Sequence, residues 1–337
     1  MLFILADDLG YGDVGCYGAP DVRTPHLDAL AAQGLQMTQM RSNCTVCSPT
    51  RAAILSGRYA DRAGVPGVIR TNAESNFGYF APNLNTVTDR FRQAGYETAA
   101  IGKWHLGLRS PNLPNERGFD HFHGFLGDMM DDYYTHLRGG KNFMRLNQET
   151  INPQGHASDL FSQWSIDYLR ERDQSPNPKP FFLYLAYNAP HFPIQPPDRW
   201  LQRVRDREPS IPMARALNVA LVEHLDDCVG RVLKCLDQLG LRDNTMVVFT
   251  SDNGGSLRHA QRNFPWRDGK QSHYDGGLRV PAIIRYPGVI SKGSKSNQPA
   301  MTFDLTRTML EIADAKIDPA TDACSLQPVF AGKPMPE

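Results

Sequence analysis

The sequence lacks the features that would assign it to a membrane, a disulfide scaffold or a nucleic acid. No run of about 18 apolar residues occurs, so no membrane-spanning helix is expected. Lysine plus arginine and aspartate plus glutamate number 36 each, so we expect no broad nucleic-acid-binding surface, although a local basic pocket is compatible with this balance. Six cysteines in 337 residues are too few for a disulfide framework. An ordinary globular protein remains.

The cysteines carry different expectations. Cys44 and Cys47 form a C-x-x-C pair, but there is no second such pair and no thioredoxin-like context, so a redox or metal-binding pair is not expected. Cys228 and Cys235 are seven residues apart in an apolar helical stretch, which predicts that both are core residues. Cys47 is the cysteine whose neighbours indicate chemistry.

Short apolar runs alternate with amphipathic segments, which predicts an α/β sheet with helices on both faces. No internal repeat or low-complexity segment interrupts this alternation. Strands are predicted at 2–6, 98–101, 181–186, 245–250 and 280–285. Helices are predicted from Thr24-Pro25 to Gly34, and at 49–56, 86–94, 213–239 and 303–313.

Polar clusters stand directly after four of these strands. They are Asp7-Asp8, Lys103 with His105, His191, and Asp252-Asn253. Ligands bind at the carboxyl ends of strands in open α/β sheets, so these clusters are expected to meet at one edge of the sheet. Any one of them is equally compatible with a solvated loop after a strand. Their joint occurrence favours a functional site.

Asp7, Asp8, Asp252 and Asn253 offer three carboxylates and one amide oxygen. Such hard oxygen ligands suit calcium or magnesium rather than zinc. The two pairs are far apart in sequence and no EF-hand pattern is present, so this metal site would depend on the fold. Alone, Asp252-Asn253-Gly-Gly is also typical of a simple turn.

Cys47 is followed by Pro49, which places it at or just before the start of a helix. The free amides and the dipole of a helix N-terminus favour an anion, and Arg51 lies one turn further on the same face. This arrangement fits a tetrahedral oxyanion such as sulfate or phosphate. From these residues alone, Cys47 is either a thiolate nucleophile of low pKa or an inert buried cysteine.

Five segments resemble motifs of the type I (formylglycine-dependent) sulfatases and occur in that family's order. They are ADDLGYGD at 6–13, CSPTRAAILSGR at 47–58, GKWHLG at 102–107, SDNGG at 251–255, and GK at 269–270 with GGLRVP at 276–281. None would suffice alone, but together they are highly specific. The resemblance runs to about Gly332 and is nearer to the arylsulfatase and N-acetylgalactosamine-6-sulfatase branch.

The resemblance implies an alkaline-phosphatase-like sandwich with a large, mixed, mostly parallel sheet and helices on both faces. It also implies a sulfuric ester hydrolase in which a separate maturation enzyme oxidises Cys47 to formylglycine (3-oxoalanine), with one bound Ca²⁺ or, alternatively, Mg²⁺. By this resemblance, one hydroxyl of the hydrated aldehyde would attack sulfur, displace the alcohol and give a covalent sulfate hemiester. The second hydroxyl lets sulfate leave by C–O cleavage, which a plain serine or cysteine does not allow.

Carried over residue by residue, the resemblance gives a complete site. The implied metal ligands are Asp7, Asp8, Asp252, Asn253 and an oxygen of the modified Cys47. The implied catalytic residues are Cys47, Arg51, Lys103, His105, His191 and Lys270. The metal, the two lysines and the Arg51 region would offset charge on the sulfate and diol oxygens. His191, with Lys270, would protonate the departing alcohol, and His105 would take the proton of the second hydroxyl.

Loops around the site are expected to form the substrate pocket. The segment 128–138 has carboxylates and aromatic side chains that suit a sugar ring, with a solvated acidic loop as an equal alternative. The arginines of the segment 256–267 are candidates to hold a neighbouring anionic group. We expect a sulfated carbohydrate as substrate, with small aryl sulfates as generic substrates.

Family members usually continue into a small C-terminal subdomain with a short antiparallel sheet, and this sequence ends about where that part would begin. We therefore expect one sulfatase catalytic domain over residues 1–337, with the subdomain largely missing. No signal peptide precedes the first strand. The resemblance nevertheless implies a periplasmic, extracellular or secreted location.

Two other functions are compatible with parts of the pattern. A phosphate or phosphonate ester hydrolase of the alkaline phosphatase superfamily would share the fold and the metal, but phosphatases of that group use serine or threonine and usually two metals. A catalytically dead protein that binds sulfated glycans would not need both histidines and both lysines. The sulfatase hypothesis accounts for all five motifs.

Overall fold

The computed structural model describes residues 1–72, 76 and 78–335. Its strands are β1 (Leu2–Ala6), β2 (Leu35–Met37), β3 (Met40–Arg41), β4 (Glu97–Lys103), β5 (His121–Phe125), β6 (Leu137–Arg138), β7 (Lys141–Asn142), β8 (Met144–Leu146), β9 (Glu149–Thr150), β10 (Phe181–Ala186), β11 (Val247–Ser251), β12 (Ala282–Arg285), β13 (Ser294–Ser296) and β14 (Ala300–Met301). Its α-helices are α1 (Pro25–Ala32), α2 (Cys47–Ser56), α3 (Val87–Gln93), α4 (Ala157–Asp173), α5 (Asp198–Arg207), α6 (Met213–Gln238), α7 (Asp275–Leu278), α8 (Thr302–Ile312) and α9 (Gln327–Phe330).

A ten-stranded sheet forms the centre of the fold, in the order β13-β2-β12-β11-β1-β10-β4-β5-β8-β9. The five central strands, from β11 to β5, run parallel to one another. β12 is antiparallel to both of its neighbours, and so is β8. The predicted mixed sheet with a parallel centre is therefore confirmed.

Each face of the sheet has its own apolar core, because successive residues of a strand point to opposite faces. Leu2 and Ile4 of β1 belong to the core that includes side chains of α1, α4, α5 and α6. Phe3 and Leu5 belong to the core that includes side chains of α2, α3, α8 and α9. Parallel strands that are apolar on both faces need this double cover. The prediction of helices on both faces is confirmed.

Most predicted boundaries agree with the structure to within two residues, and two of the differences matter for the site. α2 begins at Cys47, two residues before the predicted start. Pro49 is thus the third helical residue, where the backbone has no intrahelical acceptor and the missing N–H costs no bond. β4 continues to Lys103, so this lysine ends a strand instead of lying in a loop.

The structure can also be compared with the predictions about cysteines and membrane helices. All six cysteines are free thiols. Cys228 and Cys235 are buried in the apolar core, as predicted. Within the described ranges, no helix combines the length and the apolar character that crossing a bilayer requires.

Two glycines allow the strands to approach closely beside the site. Gly102 and Gly124 lie opposite each other where β4 pairs with β5. A Cβ atom on Gly124 would lie 2.0 Å from the carbonyl oxygen of Gly102. A Cβ atom on Gly102 would lie 1.9 Å from that of Ala186 in β10. Because Gly102 directly precedes Lys103, this close approach helps to fix where Lys103 leaves the sheet.

We predict that Gly124→Ala lowers the free energy of unfolding by about 3 kcal/mol, since backbone atoms surround the added methyl group and cannot move aside without separating β4 from β5. Gly95→Ala is the control. Within the described part of the chain, no atom lies within 4 Å of its added Cβ, so the expected loss is only the strain of a left-handed residue, about 1 kcal/mol. Urea unfolding of the three proteins measures both losses, and equal losses would contradict the explanation by close packing.

Candidate active site

The parallel strands bring the predicted site residues to one edge of the sheet. β11, β1, β10 and β4 are consecutive in the sheet and share one direction. The residues at their carboxyl ends are, in the same order, Asp252-Asn253, Asp7-Asp8, His191 in the following loop, and Lys103. The sequence pattern predicts this convergence, and the structure shows it.

Oxygen atoms of Asp7, Asp8 and Asn253 form the innermost part of the site. Oδ1 of Asp7 and Oδ1 of Asn253 are buried and have no hydrogen-bond partner in the described part of the chain. Nδ2 of Asn253 donates to Oδ1 of Asp8 at 2.8 Å, and Asp8 has a left-handed backbone with φ +66. A buried oxygen that accepts no hydrogen bond is costly unless a cation takes the place of the donor. The oxygens of Asp7, Asp8 and Asn253, which we call the cradle, therefore fit a cation.

Asp252 completes the oxygen cluster. Its Oδ1 accepts a hydrogen bond of 3.2 Å from the backbone amide of Asp8. One ligand atom from each of Asp7, Asp8, Cys47 and His191 lies within 4.8 Å of the others. A donor set dominated by carboxylate and amide oxygens fits Ca²⁺ or Mg²⁺ better than zinc.

Two lysines that are far apart in sequence, Lys103 and Lys270, offset the charge of the carboxylates. Nζ of Lys103 lies 2.5 Å from Oδ2 of Asp7, and both side chains are fully buried. Nζ of Lys270 lies 2.7 Å from Oδ1 of Asp8. The Lys270 side chain is 15% exposed, so this lysine also reaches the opening of the site.

Arg51 lies behind the carboxylates, fully buried on α2. Its Nε and Nη2 donate to Oδ2 of Asp252 at 3.0 and 2.8 Å. Its Nη1 donates to the backbone carbonyl of Lys103 at 3.1 Å. The guanidinium of Arg51 is thus engaged by Asp252 and by the end of β4, and the expectation that it faces an oxyanion stays a prediction.

The charges of the cluster act strongly on its carboxyl groups. Burial raises the pKa of Asp7, but the positive charges of Lys103, His191 and Arg51 outweigh burial and hold this pKa well below its usual range. Burial and the neighbouring Asp7 raise the pKa of Asp252. Two carboxylates in one buried site are hard to ionise together. A divalent cation between them would favour the ionised form of both.

Cys47 is the first residue of α2 and is 3% exposed. Its Sγ lies 3.7 Å from Nζ of Lys270. Burial raises the pKa of the Cys47 thiol to about 12, although Lys103 and Lys270 act in the opposite direction. Burial thus opposes the thiolate form in the folded chain and disfavours the alternative of a thiolate nucleophile with a low pKa.

His105 is held as a neutral ring of defined tautomer. Its Nε2 lies 2.6 Å from the backbone carbonyl of Ile69. A carbonyl only accepts, so Nε2 carries the hydrogen and Nδ1 keeps a free electron pair. Nδ1 is buried and unpartnered among the described residues. Burial, followed by the charges of Lys103 and Arg51, lowers the pKa of His105 well below its usual range.

The segment that begins α2 fixes this ring from a distance. Oγ of Ser48 accepts a hydrogen bond of 3.1 Å from the amide of Ile69, whose carbonyl takes the His105 hydrogen. Thr50 closes the approach to α2, since its Oγ1 lies 3.0 Å from the amide of Cys44. The two polar residues beside Cys47 thus have positioning roles that sequence reasoning missed.

His191 lies at the opening of the site, with 13% of its side chain exposed. Its Nε2 lies 3.6 Å from Oδ2 of Asp8. Its Nδ1 lies 2.6 Å from the carbonyl of Phe192 and therefore carries a hydrogen. Burial, followed by the charge of Lys270, lowers the pKa of His191. The Nε2 atom is the part of this ring that faces the carboxylates.

The segment 128–138 supports His191 from behind. Tyr133 is 1% exposed, and its hydroxyl lies 2.9 Å from the backbone carbonyl of His191. Asp128 and Asp131 both pair with Arg138 inside the segment. Asp131 and Tyr134 are exposed, whereas Tyr133 is buried. The solvated acidic loop and the sugar-binding surface therefore both stay predictions, although Tyr133 itself is not free to meet a sugar.

A cleft of about 430 Å³ opens at the metal cradle. Its inner end is formed by Asp8, His191 and Lys270. Its outer wall includes Phe192, Leu257, Arg258 and His259. The predicted loop 256–267 thus contributes its first four residues to the cleft. Phe192 was missed, although its position directly after His191 is a signal that could have found it.

This geometry defines a class of site. A cation cradle beside a helix N-terminus and two lysines suits the binding of a tetrahedral oxyanion. Two histidines of the site, His105 and His191, have lowered pKa values, and neutral imidazoles of this kind suit proton transfer. Together these features are typical of metal-dependent hydrolases that act on oxyanion esters.

Comparisons with known proteins narrow this class to one family. The family described as Sulfatase matches residues 1–315. N-acetylgalactosamine-6-sulfatase of Rattus norvegicus is 32% identical over 98% of this chain and 65% of its own length. Arylsulfatase J of Mus musculus is 31% identical over 94% of this chain and 53% of its own length. The chain belongs to the sulfatase family.

A solved structure agrees with this assignment. The crystal structure of Ps i-CgsB in complex with k-i-k-neocarrahexaose matches with a TM-score of 0.92 at 30% identity, over 99% of this chain and 76% of that protein. The predicted alkaline-phosphatase-like fold is confirmed. The chain spans about two thirds of the length of the rat relative and about half of the length of the mouse relative.

We predict that calcium stabilises the protein through the cradle. At a calcium concentration one hundred times Kd, the free energy of unfolding should rise by about 3 kcal/mol, which raises Tm by several degrees. Asp7→Asn removes the charge of a buried ligand and is expected to lose most of this shift. Asp243→Asn, an exposed carboxylate elsewhere, should keep it. Calorimetric melts with calcium and with chelator measure the shift, and identical melts of the parent would rule the cradle out.

Proposed function

We propose that the protein hydrolyses sulfate esters of a carbohydrate and releases inorganic sulfate, with Cys47 matured to formylglycine. The observation that carries this proposal is the position of Cys47, which opens α2 beside Lys270 and the oxygen cluster. Burial opposes ionisation of its thiol, which favours conversion of the residue to another nucleophile. The relatives named for N-acetylgalactosamine 6-sulfate and aryl sulfates support the same substrate class.

Two groups would be supplied to the site. A calcium ion held by Asp7, Asp8, Asp252, Asn253 and an oxygen of the modified Cys47 would withdraw charge from the sulfate oxygens, with magnesium as the alternative. Formylglycine, made by a separate maturation enzyme, would supply a nucleophilic hydroxyl and a second hydroxyl that permits release of sulfate. The orphaned oxygens of Asp7 and Asn253 support the metal assignment.

The chain's own cations would bind and orient the ester. Lys103 and Lys270 lie on either side of the carboxylate pair, through Asp7 and Asp8 respectively. Both ammonium groups would stabilise charge that develops on sulfate oxygens. Arg51 is a positioning residue in this proposal, since its contacts hold Asp252 and the end of β4 in place.

The two histidines would move protons in opposite directions. Nδ1 of His105 has a free electron pair and no partner in the described structure, which suits a base that accepts the hydroxyl proton. His191 borders the cleft, where a leaving alcohol would depart, and its Nε2 lies 3.6 Å from Oδ2 of Asp8. With Lys270 beside it, a protonated His191 would donate to the leaving oxygen.

Sulfatase maturation and location remain part of the same proposal. The family resemblance supports a periplasmic, extracellular or secreted protein. The same resemblance supports a separate enzyme that converts Cys47 to formylglycine.

We predict that coexpression with a formylglycine-generating enzyme converts Cys47 to an aldehyde and yields sulfate ester hydrolysis. Peptide mass spectrometry should show the Cys47 peptide with the mass loss expected when CH₂–SH becomes an aldehyde. The matured protein should release sulfate from 4-nitrophenyl sulfate and turn over 4-nitrophenyl phosphate more slowly. Cys47→Ala is the control for both measurements. An unmodified Cys47, or a preference for phosphate, would contradict the proposal.

We predict that His191→Ala slows hydrolysis most where the leaving alcohol needs a proton. For a sugar sulfate, kcat/KM should fall by about 10²–10⁴-fold, the usual range for a lost general acid. For 4-nitrophenyl sulfate the fall should be smaller, because nitrophenolate leaves without protonation. His123→Ala, a histidine outside the site that stacks on Trp164, is the control. Equal losses on the two substrates would argue against the acid role.

A further inference from the structure

The outer wall of the cleft contains an arginine, Arg258, that has no partner among the described residues. Arg258 lines the cleft and is exposed, and no described residue forms an ion pair or hydrogen bond with its guanidinium. The other two arginines of the predicted loop differ from it. Arg262 pairs with Asp21 at 2.9 Å, and Arg267 lies over the ring of Tyr274 at 3.7 Å. The unused positive charge of this loop is therefore concentrated at one position in the cleft.

Two rings form a flat surface next to this arginine. Phe192 and His259 stack with their centroids 4.8 Å apart and their planes inclined by 23°. Phe192 is 45% exposed and Leu257 is 53% exposed, so both present apolar surface to an occupant of the cleft. Burial lowers the pKa of His259, so Arg258 carries the lasting positive charge here. We call Phe192, Leu257, Arg258 and His259 the outer subsite.

The backbone behind the outer subsite is held in place by a buried ion pair. Nη1 of Arg215 lies 2.6 Å from Oδ1 of Asp13 and 3.0 Å from the carbonyl of Ala260. Oδ2 of Asp13 accepts a hydrogen bond from the amide of Arg262 at 2.9 Å. A binding surface fixed in advance loses less entropy when a ligand binds.

A second contact joins this backbone to the loop that bears His191. Nε2 of Gln261 donates to the carbonyl of Pro190 at 2.8 Å. Phe192 from one loop and His259 from the other are therefore kept in register with the inner end of the cleft. An occupant of the outer subsite would be positioned relative to His191 and Lys270.

We propose that the outer subsite binds the ring of a multiply anionic sugar, with the ring against Phe192 and His259 and a second sulfate or carboxylate on Arg258. This inference rests on the proposed function, in which the first sulfate lies at the inner end. The lysines already offset the charge there, so a singly sulfated sugar leaves Arg258 without a partner. A second anionic group gives Arg258 a charge-assisted hydrogen bond.

The experiment measures binding on a background that does not depend on catalysis. In the Cys47→Ala protein with calcium, titration calorimetry compares galactose 6-sulfate with galactose 2,6-disulfate. We expect the disulfate to bind about tenfold more tightly, within the range of one charge-assisted hydrogen bond. Arg258→Ala should bring the ratio of the two Kd values to about one, and Arg258→Lys should keep part of it. Arg267→Ala, which removes a charge from the same loop outside the cleft, should keep all of it.

Phe192→Ala provides an independent check on the ring surface. It should weaken the binding of both sugars by a similar factor and leave the ratio of their Kd values unchanged. Binding of neither sugar, equal Kd values in the parent, a ratio that survives Arg258→Ala, or a ratio lost in Arg267→Ala would each overturn the inference. Sulfate release by the matured protein with Cys47 intact is measured separately, so failure of the proposed function is distinguished from failure of this inference.

Discussion

The contact between Asp7 and Lys103 is the interaction on which the site depends. It joins the carboxyl ends of β1 and β4 across the end of β10, and both side chains are fully buried. A buried charge pair is tolerated only when hydrogen bonds and further charges complete it, and removal of one partner leaves an isolated charge in the core. Arg51, 3.8 Å from Asp7, and Lys270, which pairs with the neighbouring Asp8, add further positive charge, while Oδ1 of Asp7 stays available to a cation. Sheet order, helix placement and the close approach at Gly102 all serve to bring these groups together.

Much of this arrangement could be predicted from the sequence. The central strands are short, apolar runs, so β1 and β10 have the predicted bounds and the helices that cover them follow from periodicity. The residues that meet at the sheet edge come directly after strands, which makes their convergence a consequence of topology. The motif segments then indicate which of these polar residues belong to one site.

Other parts depend on contacts that local patterns do not show. α4 is absent from the predicted elements because Ser158, Ser162 and Ser165 occupy buried positions where apolar residues are expected. Hydroxyls of Ser162 and Ser165 donate to carbonyls one turn earlier, which satisfies them inside the core. The tautomer of His105 likewise depends on Ile69, which is distant in sequence from both His105 and α2. The contact of Arg51 with Asp252 was not predicted, because a helix position does not say which charge a guanidinium will meet.

The burial of Cys47 also sets an order of events in biosynthesis. Its Sγ lies behind Lys270, and the residue begins a helix whose other members are all buried between the sheet and α8. An enzyme that oxidises this side chain would need to reach it, and in the folded chain Cys47 is 3% exposed. A modification that requires access to Cys47 would therefore come before the packing of α2. A chain that folded before modification would keep the Cys47 thiol buried and unmodified.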